Sequence, residues 1–267
     1  MALRDWIHAV GRILTRGLLH PRVRHFPLMV GTYCRLYLLG KRLTDRHELS
    51  TLRSLIRPGM VIADIGANVG FYAVEMAKCV GPRGRVLAFE PDPLSFRVLQ
   101  QRVNQASLDN VETYQMALGD TSGRAALYCS AYNRADNRLS ASHTESHVEV
   151  CEVAVCRLDE FLSGREIRID GMKIDVQGNE ERVLRGAEAI LRRGVGWIWL
   201  EFSPDHLRGS GADPERFLET LAALGMDLFE VSDHGELEPL TNFLAHTNKI
   251  GSSYGDLLLM RRMSEAT

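Results

Sequence analysis

Apolar residues occupy positions 61 to 65 except at Asp64, and glycines follow at positions 66 and 70. A short apolar run that ends at glycines is typical of a buried parallel strand followed by a turn. Asn68, between the glycines, is one of the few other residues that tolerates a positive φ. Residues 71–78 favour a helix, whose first free amides would face the turn. The pattern therefore predicts a strand, a ligand-binding turn and a helix.

The same alternation of apolar strands and amphipathic helices continues along the chain. Strands are predicted at residues 85–90, 111–117, 171–175, 195–201, 226–231 and 255–260, and helices at 47–56, 93–106, 158–162, 179–193 and 214–224. Residues 123–128 and 147–156 alternate apolar and polar side chains as a β-hairpin does. Strands that alternate with helices form a parallel sheet with helices on both faces. The predicted fold class is therefore α/β.

An amphipathic helix is also predicted at residues 3–19, before the α/β pattern begins. The first 44 residues contain eight Lys or Arg side chains and one Asp, a charge of about +7. We divide the chain into a helical extension at residues 1–50 and a main domain at 51–267. Three interpretations of the extension stay open: it caps the domain or its site, it contacts an anionic membrane or acidic partner, or it forms a homodimer contact.

The composition is that of a soluble globular protein, with 267 residues of which 45% are hydrophobic and 25% are charged. A net charge of −2 gives no reason to expect a nucleic-acid partner. No apolar stretch reaches the roughly 18 residues of a membrane span, and the start lacks the order of a signal peptide. The five cysteines are scattered without a Cys-x-x-Cys pair, which predicts a reduced, cytoplasmic protein rather than a disulfide frame.

Four acidic side chains fall where predicted strands end: Asp64, Glu90, Asp175 and Glu201. In an open α/β sheet, ligands bind in the crevice at the carboxyl ends of the strands. A single acid at such a place often caps a helix or stays in solvent, but four at the same edge predict a binding site. Glu90 follows Gly70 by 20 residues, the spacing at which an acid contacts ribose hydroxyls in dinucleotide-binding folds.

The glycine turn fits two classes of cofactor, nicotinamide dinucleotides and S-adenosylmethionine. A dinucleotide places its pyrophosphate at the helix N-terminus, where the charge of Asp64 would repel it. S-adenosylmethionine instead carries a sulfonium and an ammonium group, which Asp64 would attract. We therefore predict S-adenosylmethionine as the cofactor. Its predicted contacts are Asp64, Gly66, Ala67, Asn68, Gly70 and Glu90.

Several motifs together resemble those of the FkbM-type methyltransferases. They are residues 64–70 (Asp-Ile-Gly-Ala-Asn-Val-Gly), Glu90-Pro91, residues 117–120 (Ala-Leu-Gly-Asp), residues 158–160 (Leu-Asp-Glu) and residues 173–178 (Lys-Ile-Asp-Val-Gln-Gly) with Glu180, Leu184 and Gly186. The resemblance covers about residues 55–202, and the block at 173–178 is its most specific part. One departure is Gln177, where the family more often has Glu, and we assign this glutamine no chemical role.

The resemblance implies a Rossmann-like class I methyltransferase fold with seven strands, the last antiparallel. It also implies an S-adenosylmethionine-dependent O-methyltransferase that acts on a hydroxyl of a sugar, glycoside, polyketide or other natural product. By the same resemblance, Asp120 would lie near the adenine of the cofactor.

A hydroxyl acceptor needs a general base, and the candidates are Asp175, His143, His147 and His206. His143 and His147 lie in the polar stretch 130–147, a long loop that we predict to be a lid and substrate-contact region. Asn179, Glu201 and His206 are the predicted acceptor contacts. Mg²⁺ held by Asp175 and Glu201, with Asn179 or His206, is a less favoured alternative.

Other classes of function make different demands on the sequence. Methylation of base amines typically uses a Pro-Pro turn at the fourth strand, where this chain has Asp175-Val-Gln-Gly178. Cytosine C5 methylation uses a Pro-Cys nucleophile, and no Cys follows a Pro here. A non-catalytic module that binds the cofactor or a membrane stays as the alternative from a different class.

Overall fold

The computed structural model describes residues 38–130, 136–140 and 148–262. The amphipathic helix predicted at residues 3–19 and the candidate bases His143 and His147 lie outside the described residues. No helix within these ranges has the length and apolar character needed to cross a membrane.

Nine helices follow residue 45 in the described part of the chain. They are α1 (Arg46–Leu55), α2 (Phe71–Val80), α3 (Pro93–Gln105), α4 (Leu158–Phe161), α5 (Glu180–Gly186), α6 (Glu188–Gly194), α7 (Pro204–Gly209), α8 (Pro214–Ala222) and α9 (Phe243–Ile250). Residues 38–44, before α1, are also helical.

Eleven strands lie in the same described ranges. They are β1 (Val61–Ile65), β2 (Arg85–Phe89), β3 (Val111–Tyr114), β4 (Ala117–Leu118), β5 (Gly123–Ser130), β6 (Val148–Cys156), β7 (Gly171–Ile174), β8 (Trp197–Phe202), β9 (Met226–Val231), β10 (Leu237–Pro239) and β11 (Gly255–Arg261).

The main sheet has the strand order β10-β9-β11-β8-β7-β1-β2-β3. Strands β3, β2, β1, β7 and β8 run parallel to their neighbours, while β11 is antiparallel to both β8 and β9. This confirms the predicted Rossmann-like class I fold with an antiparallel last strand. The described sheet has eight strands instead of seven, because β10 pairs with β9 as an added edge strand.

The apolar side chains of the central strands are buried on both faces of the sheet. Ile62 on one face packs in a cluster with residues of α1, α2 and α3, such as Leu52, Met76 and Leu99. Ala63 faces the other side, where the core includes residues of α4, α5, α6 and α8. Alternate residues of β1 therefore contribute to separate cores, which explains why the strand reads as one apolar run rather than an alternating pattern.

Two predicted elements are divided in the structure. The strand predicted at 111–117 is wrong in its extent: β3 ends at Tyr114, and β4 leaves the main sheet to pair with β6. A small second sheet with the order β4-β6-β5 results, and its β5–β6 hairpin is confirmed as antiparallel.

The helix predicted at 179–193 is also two helices, α5 and α6, which meet at Ala187. The break has a long-range cause. The carboxylate of Asp159 accepts hydrogen bonds from the backbone N–H of Ala189 and of Ile190, each at 3.0 Å. A side chain 30 residues away in sequence thus satisfies free amides in the first turn of α6 and allows a new helix to begin there.

We expect Asp159→Ala to lower the free energy of unfolding by about 1 kcal/mol, because the free amides at the start of α6 lose their cap. Urea unfolding followed by circular dichroism measures this change. Asp205→Ala is the control, because Asp205 is half exposed and contacts only the exposed Arg208 in the described structure. Equal stability of the two variants would contradict a capping role for Asp159.

Candidate cofactor and acceptor site

The turn between β1 and α2 depends on three residues with positive φ angles. Gly66, Asn68 and Gly70 have φ values of 84°, 49° and 77°, which confirms that Asn68 adopts the left-handed conformation. A Cβ atom added to Gly66 would lie 1.9 Å from the backbone oxygen of Asp175. Glycine is therefore required at position 66, because the turn packs directly against the end of β7.

The carboxylate of Glu90 links this turn to the end of β2. One oxygen accepts the N–H of Asn68 and the other accepts the N–H of Asp92, both at 2.8 Å. Glu90 is buried, and burial raises its pKa to about 8, although the two backbone hydrogen bonds oppose the rise. When Glu90 is ionised, each oxygen keeps a second lone pair for a ligand. The hydroxyls of a ribose are donors that match these acceptors.

Asp64 is a buried acid without a hydrogen-bond partner. Its side chain is 0% exposed, and neither oxygen accepts a hydrogen bond from any group that the structure describes. The free amide of Ala73 lies close enough to favour the ionised form but does not reach hydrogen-bond geometry. Burial raises the pKa of Asp64 to about 6, although Lys173 opposes the rise. An unpartnered buried carboxyl is unfavourable, and a cationic ligand would relieve it.

Lys173 is a buried cation that interacts with Asp64 and Asp175. It lies opposite Asp64 in the register of β1 and β7, and its Nζ atom lies 3.3 Å from Oδ2 of Asp175. The same ammonium lies 4.5 Å from the centre of the Tyr72 ring. Burial alone would lower the pKa of Lys173, but Asp175 and Asp64 raise it above its ordinary value. Lys173 therefore stays charged and partly balances the two acids.

Asp175 and Glu201 lie at the ends of neighbouring strands and share one hydrogen-bond donor. The Nε2 atom of Gln177 donates to Oδ1 of Asp175 at 2.9 Å and to Oε2 of Glu201 at 2.6 Å. The Asp175 side chain is 30% exposed, so it is open to a ligand. Burial acts to raise the pKa of Asp175, but Lys173, Lys41 and Gln177 together hold it below the ordinary value. Sequence reasoning missed this contact of Gln177.

Asp256 is a further acid at this edge that sequence reasoning missed. Strand β11 runs antiparallel, so its first residues lie beside the last residues of β8, and Asp256 pairs with Glu201. Burial raises the pKa of Asp256 to about 6. Burial and the charges of Asp175 and Asp256 also raise the pKa of Glu201 well above its ordinary value. The antiparallel last strand that the resemblance implies was the signal that could have located Asp256.

The helical residues just before α1 contact the same cluster. Lys41 lies 2.6 Å from the carboxylate of Asp45 and 4.6 Å from the centre of the Tyr72 ring. The Tyr72 hydroxyl donates to Asp45 at 2.9 Å. The C-terminal end of the predicted extension therefore packs beside Tyr72 and Lys173. The cap predicted for the rest of the extension stays a prediction.

His206 lies at the other side of the Asp175–Gly178 segment. A Cβ atom added to Gly178 would lie 2.3 Å from the backbone oxygen of His206. The Nε2 atom of His206 lies 2.8 Å from Nη2 of Arg138, whose side chain also contacts Asp136. Burial and the positive charge of Arg138 lower the pKa of His206. A described part of the predicted lid, residues 136–140, thus rests on α7 beside the acidic edge.

Asn179 and Asp120 both lie near the contact of β4 with α5. Asn179 is buried and donates from Nδ2 to the backbone oxygen of Leu118 at 3.4 Å. The Asp120 carboxylate lies 3.8 Å from Nε of Arg185. Their predicted contacts with acceptor and cofactor stay predictions.

Glu180 holds the segment after β7 in place. Its Oε1 atom accepts the backbone N–H of Gly178 at 3.1 Å and of Val176 at 3.3 Å. Burial raises the pKa of Glu180 to about 7.

Among the residues that the structure describes, no three His, Cys, Asp or Glu side chains converge as metal ligands would.

Comparison with known proteins gives one family match. The model of the FkbM methyltransferase domain matches residues 64–235, which include Asp64, Glu90, Asp175, Gln177 and Glu201. A methyltransferase of Beauveria bassiana, named Methyltransferase 1, is 31% identical over 149 residues, which cover 48% of this chain and 58% of the relative.

The 31-O-demethyl-FK506 methyltransferase FkbM of Streptomyces tacrolimicus is 30% identical over 162 residues, which cover 50% of this chain and 61% of that protein. The chain thus spans about three fifths of the length of these curated relatives. A solved structure described as an rRNA-methylase, from Clostridium thermocellum, aligns with a TM-score of 0.50 over 82% of this chain and 97% of its own. At 10% identity, that likeness concerns the fold alone.

We expect the free protein to lose stability as the pH rises from about 4.5 to about 8. Glu90 has a pKa near 8 when folded and 4.5 as its ordinary value. A raised carboxyl pKa contributes stability that is complete below the unfolded value and is lost as the pH rises through the folded value. Asp64, Glu180 and Asp256 also have raised pKa values in the folded protein, about 6, 7 and 6, so they change the stability in the same direction.

Glu90→Gln should therefore reduce the slope of unfolding free energy against pH, by up to about 1.4 kcal/mol for each pH unit within this window. Urea unfolding at several pH values measures the slope. Glu188→Gln is the control, since Glu188 is exposed and only pairs with Arg192 in the described structure. An unchanged slope in Glu90→Gln would contradict the raised pKa.

Proposed function

The chain belongs to the FkbM methyltransferase family, and we propose that it transfers the methyl group of S-adenosylmethionine to a hydroxyl of a sugar or natural product. S-adenosylmethionine is the cofactor of this family. The observation that carries the proposal is the unpartnered carboxyl of Asp64, buried beside the Gly66–Gly70 turn and next to the carboxylates of the strand ends.

Charge favours S-adenosylmethionine over a dinucleotide at this turn. A pyrophosphate here would add negative charge beside Asp64 and Asp175, and among the residues that the structure describes Lys173 and Lys41 are the cations that would oppose it. Like charges in a buried site repel strongly, because little solvent screens them. A sulfonium and an ammonium reverse the sign of that interaction. Glu90 would accept the ribose hydroxyls through its free lone pairs.

S-adenosylmethionine, when bound, would supply a methyl group on a sulfonium, and the acceptor oxygen would bond to the methyl carbon as the carbon–sulfur bond breaks in line and a neutral thioether leaves. This reaction depends mainly on positioning, and its acceptor hydroxyl must lose a proton. Asp175 is suited to hold that hydroxyl, because its carboxylate is partly exposed and its lowered pKa keeps it ionised as a hydrogen-bond acceptor, which is also the form that can take the proton. Lys173, 3.3 Å away, would stabilise the carboxylate in its ionised form.

The acceptor would lie between the carboxyl edge and the segment 136–140. Arg138 and His206, whose side chains contact each other, would form one wall of this space. Ser140 attaches the segment to α7 through a 2.7 Å hydrogen bond to the backbone oxygen of Gly209. The relative from Streptomyces tacrolimicus is named for 31-O-demethyl-FK506 as its substrate. That name supports a hydroxylated small molecule, rather than a nucleic acid, as the acceptor of this chain.

We expect methyl-labelled S-adenosylmethionine to transfer one methyl group to an oxygen of a hydroxylated sugar, glycoside or polyketide. Asp175→Asn should lower kcat by about 10²-fold or more, because the amide cannot accept the proton, with little change in the dissociation constant of the cofactor. Mass spectrometry and the carbon chemical shift of the transferred methyl group identify the product.

Asp109→Asn serves as the matched control, because Asp109 is exposed in the loop before β3. Transfer of the label to nitrogen or carbon would contradict the proposed acceptor class. Full turnover by Asp175→Asn would remove Asp175 from the role of base.

A further inference from the structure

Gln177 occupies an unusual position in both sequence and conformation. Its φ angle is 53°, in the left-handed region, which is uncommon for a residue that is neither glycine nor asparagine. The adjacent segment is fixed by the hydrogen bonds from Val176 and Gly178 to Glu180. Hydrogen bonds of the neighbouring residues therefore hold this backbone conformation, which places the Gln177 side chain between two strand ends.

The side-chain amide of Gln177 has two N–H groups, and the structure gives both an acceptor. Asp175 at the end of β7 accepts at 2.9 Å, and Glu201 on β8 accepts at 2.6 Å. No other described contact joins the side chains of these two acids. A single neutral group thus holds two carboxyl groups side by side at the edge of the sheet.

We propose that Gln177 is a positioning residue for the methyl transfer, which holds the Asp175 carboxylate beside Glu201 in one fixed orientation toward the acceptor hydroxyl. The inference rests on the proposed function for the acceptor, but the bridge itself is a property of the free protein. Asp175 would then act on the acceptor, and Gln177 would act only through Asp175.

The nature of the bridging group matters because this edge already contains many charges. The titratable groups that interact with the pair from the surrounding elements are Lys41, Asp64, Lys173, Glu180, His206 and Asp256. A glutamate at position 177 would add a further negative charge and would donate only while protonated. A glutamine donates at every pH, so the orientation of Asp175 becomes independent of protonation at position 177.

Two substitutions distinguish the effect of losing the hydrogen bonds of Gln177 from the effect of changing its side-chain volume. Gln177→Met keeps a similar length without any donor, and Gln177→Glu keeps the shape but makes the donor depend on pH. Gln115→Met and Gln115→Glu are the matched controls, because Gln115 is exposed between β3 and β4. Circular dichroism of all four variants shows whether each one is folded.

The test is a titration of the carbon-13 labelled Asp and Glu carboxyl groups by NMR, on the full chain, from about pH 2 to about pH 9. Resonances of Asp175 and Glu201 are assigned by their loss in Asp175→Asn and Glu201→Gln. In Gln177→Met, the titration midpoint of Asp175 should rise by about one unit, tenfold in proton affinity, because the stabilising donor is lost.

In Gln177→Glu, the chemical shift of the Asp175 carboxyl carbon should equal that of the unaltered protein at low pH. The two shifts should differ once the introduced carboxyl group loses its proton. The Gln115 variants should leave both midpoints unchanged. An Asp175 midpoint that does not move in Gln177→Met, or that moves equally in the Gln115 variants, overturns the inference.

Calorimetric titration of the same samples with S-adenosylmethionine keeps the two proposals apart. If the unaltered protein does not bind S-adenosylmethionine, the proposed function fails whatever the carboxyl titration shows. If it binds the cofactor but the Asp175 midpoint is insensitive to position 177, only the positioning role of Gln177 fails.

Discussion

The close contact between Gly66 and the end of β7 is the constraint on which the site depends. No side chain fits at position 66, because a Cβ atom would lie 1.9 Å from the backbone oxygen of Asp175. The glycine turn of β1 therefore packs directly against the Lys173–Gly178 segment. The contact brings the proposed cofactor turn and the acids of the acceptor side into one crevice. Alternation along the strands then places Asp64, Lys173 and Asp175 on the same face of the sheet.

This crevice is electrostatically incomplete in the free protein. The carboxyl groups of Asp64, Glu90, Glu180 and Asp256 all have raised pKa values because burial removes their hydration. Lys173 and Lys41 balance only part of this charge. Buried groups that are unfavourable in the free protein are common at functional sites, because a ligand of the right charge supplies the missing partner. Here that partner is a cation with donor hydroxyl groups, a description that fits S-adenosylmethionine.

Much of this arrangement follows from local sequence patterns, but some of it depends on tertiary contacts. Asp64, Glu90, Asp175 and Glu201 were predictable because each one ends an apolar strand, and Asn68 because its left-handed turn needs a special residue. Asp256 was missed because it begins an antiparallel strand instead of ending a parallel one. The break between α5 and α6 depends on Asp159, whose contact with them spans 30 residues. Gln177 was assigned no role because it lacks the carboxylate that the family more often has at this position, and only the fold places its amide between two acids.

Calorimetric titration with S-adenosylmethionine near pH 7, in buffers of different ionisation enthalpy, tests the central claim most directly. Ribose hydroxyls and a cationic group both favour the ionised carboxylates, so binding should release protons from Glu90, whose pKa in the free protein is about 8. Glu90→Gln should remove most of that release, and NADH should not bind. Binding of NADH, or binding of S-adenosylmethionine with no proton release that depends on Glu90, would contradict the account.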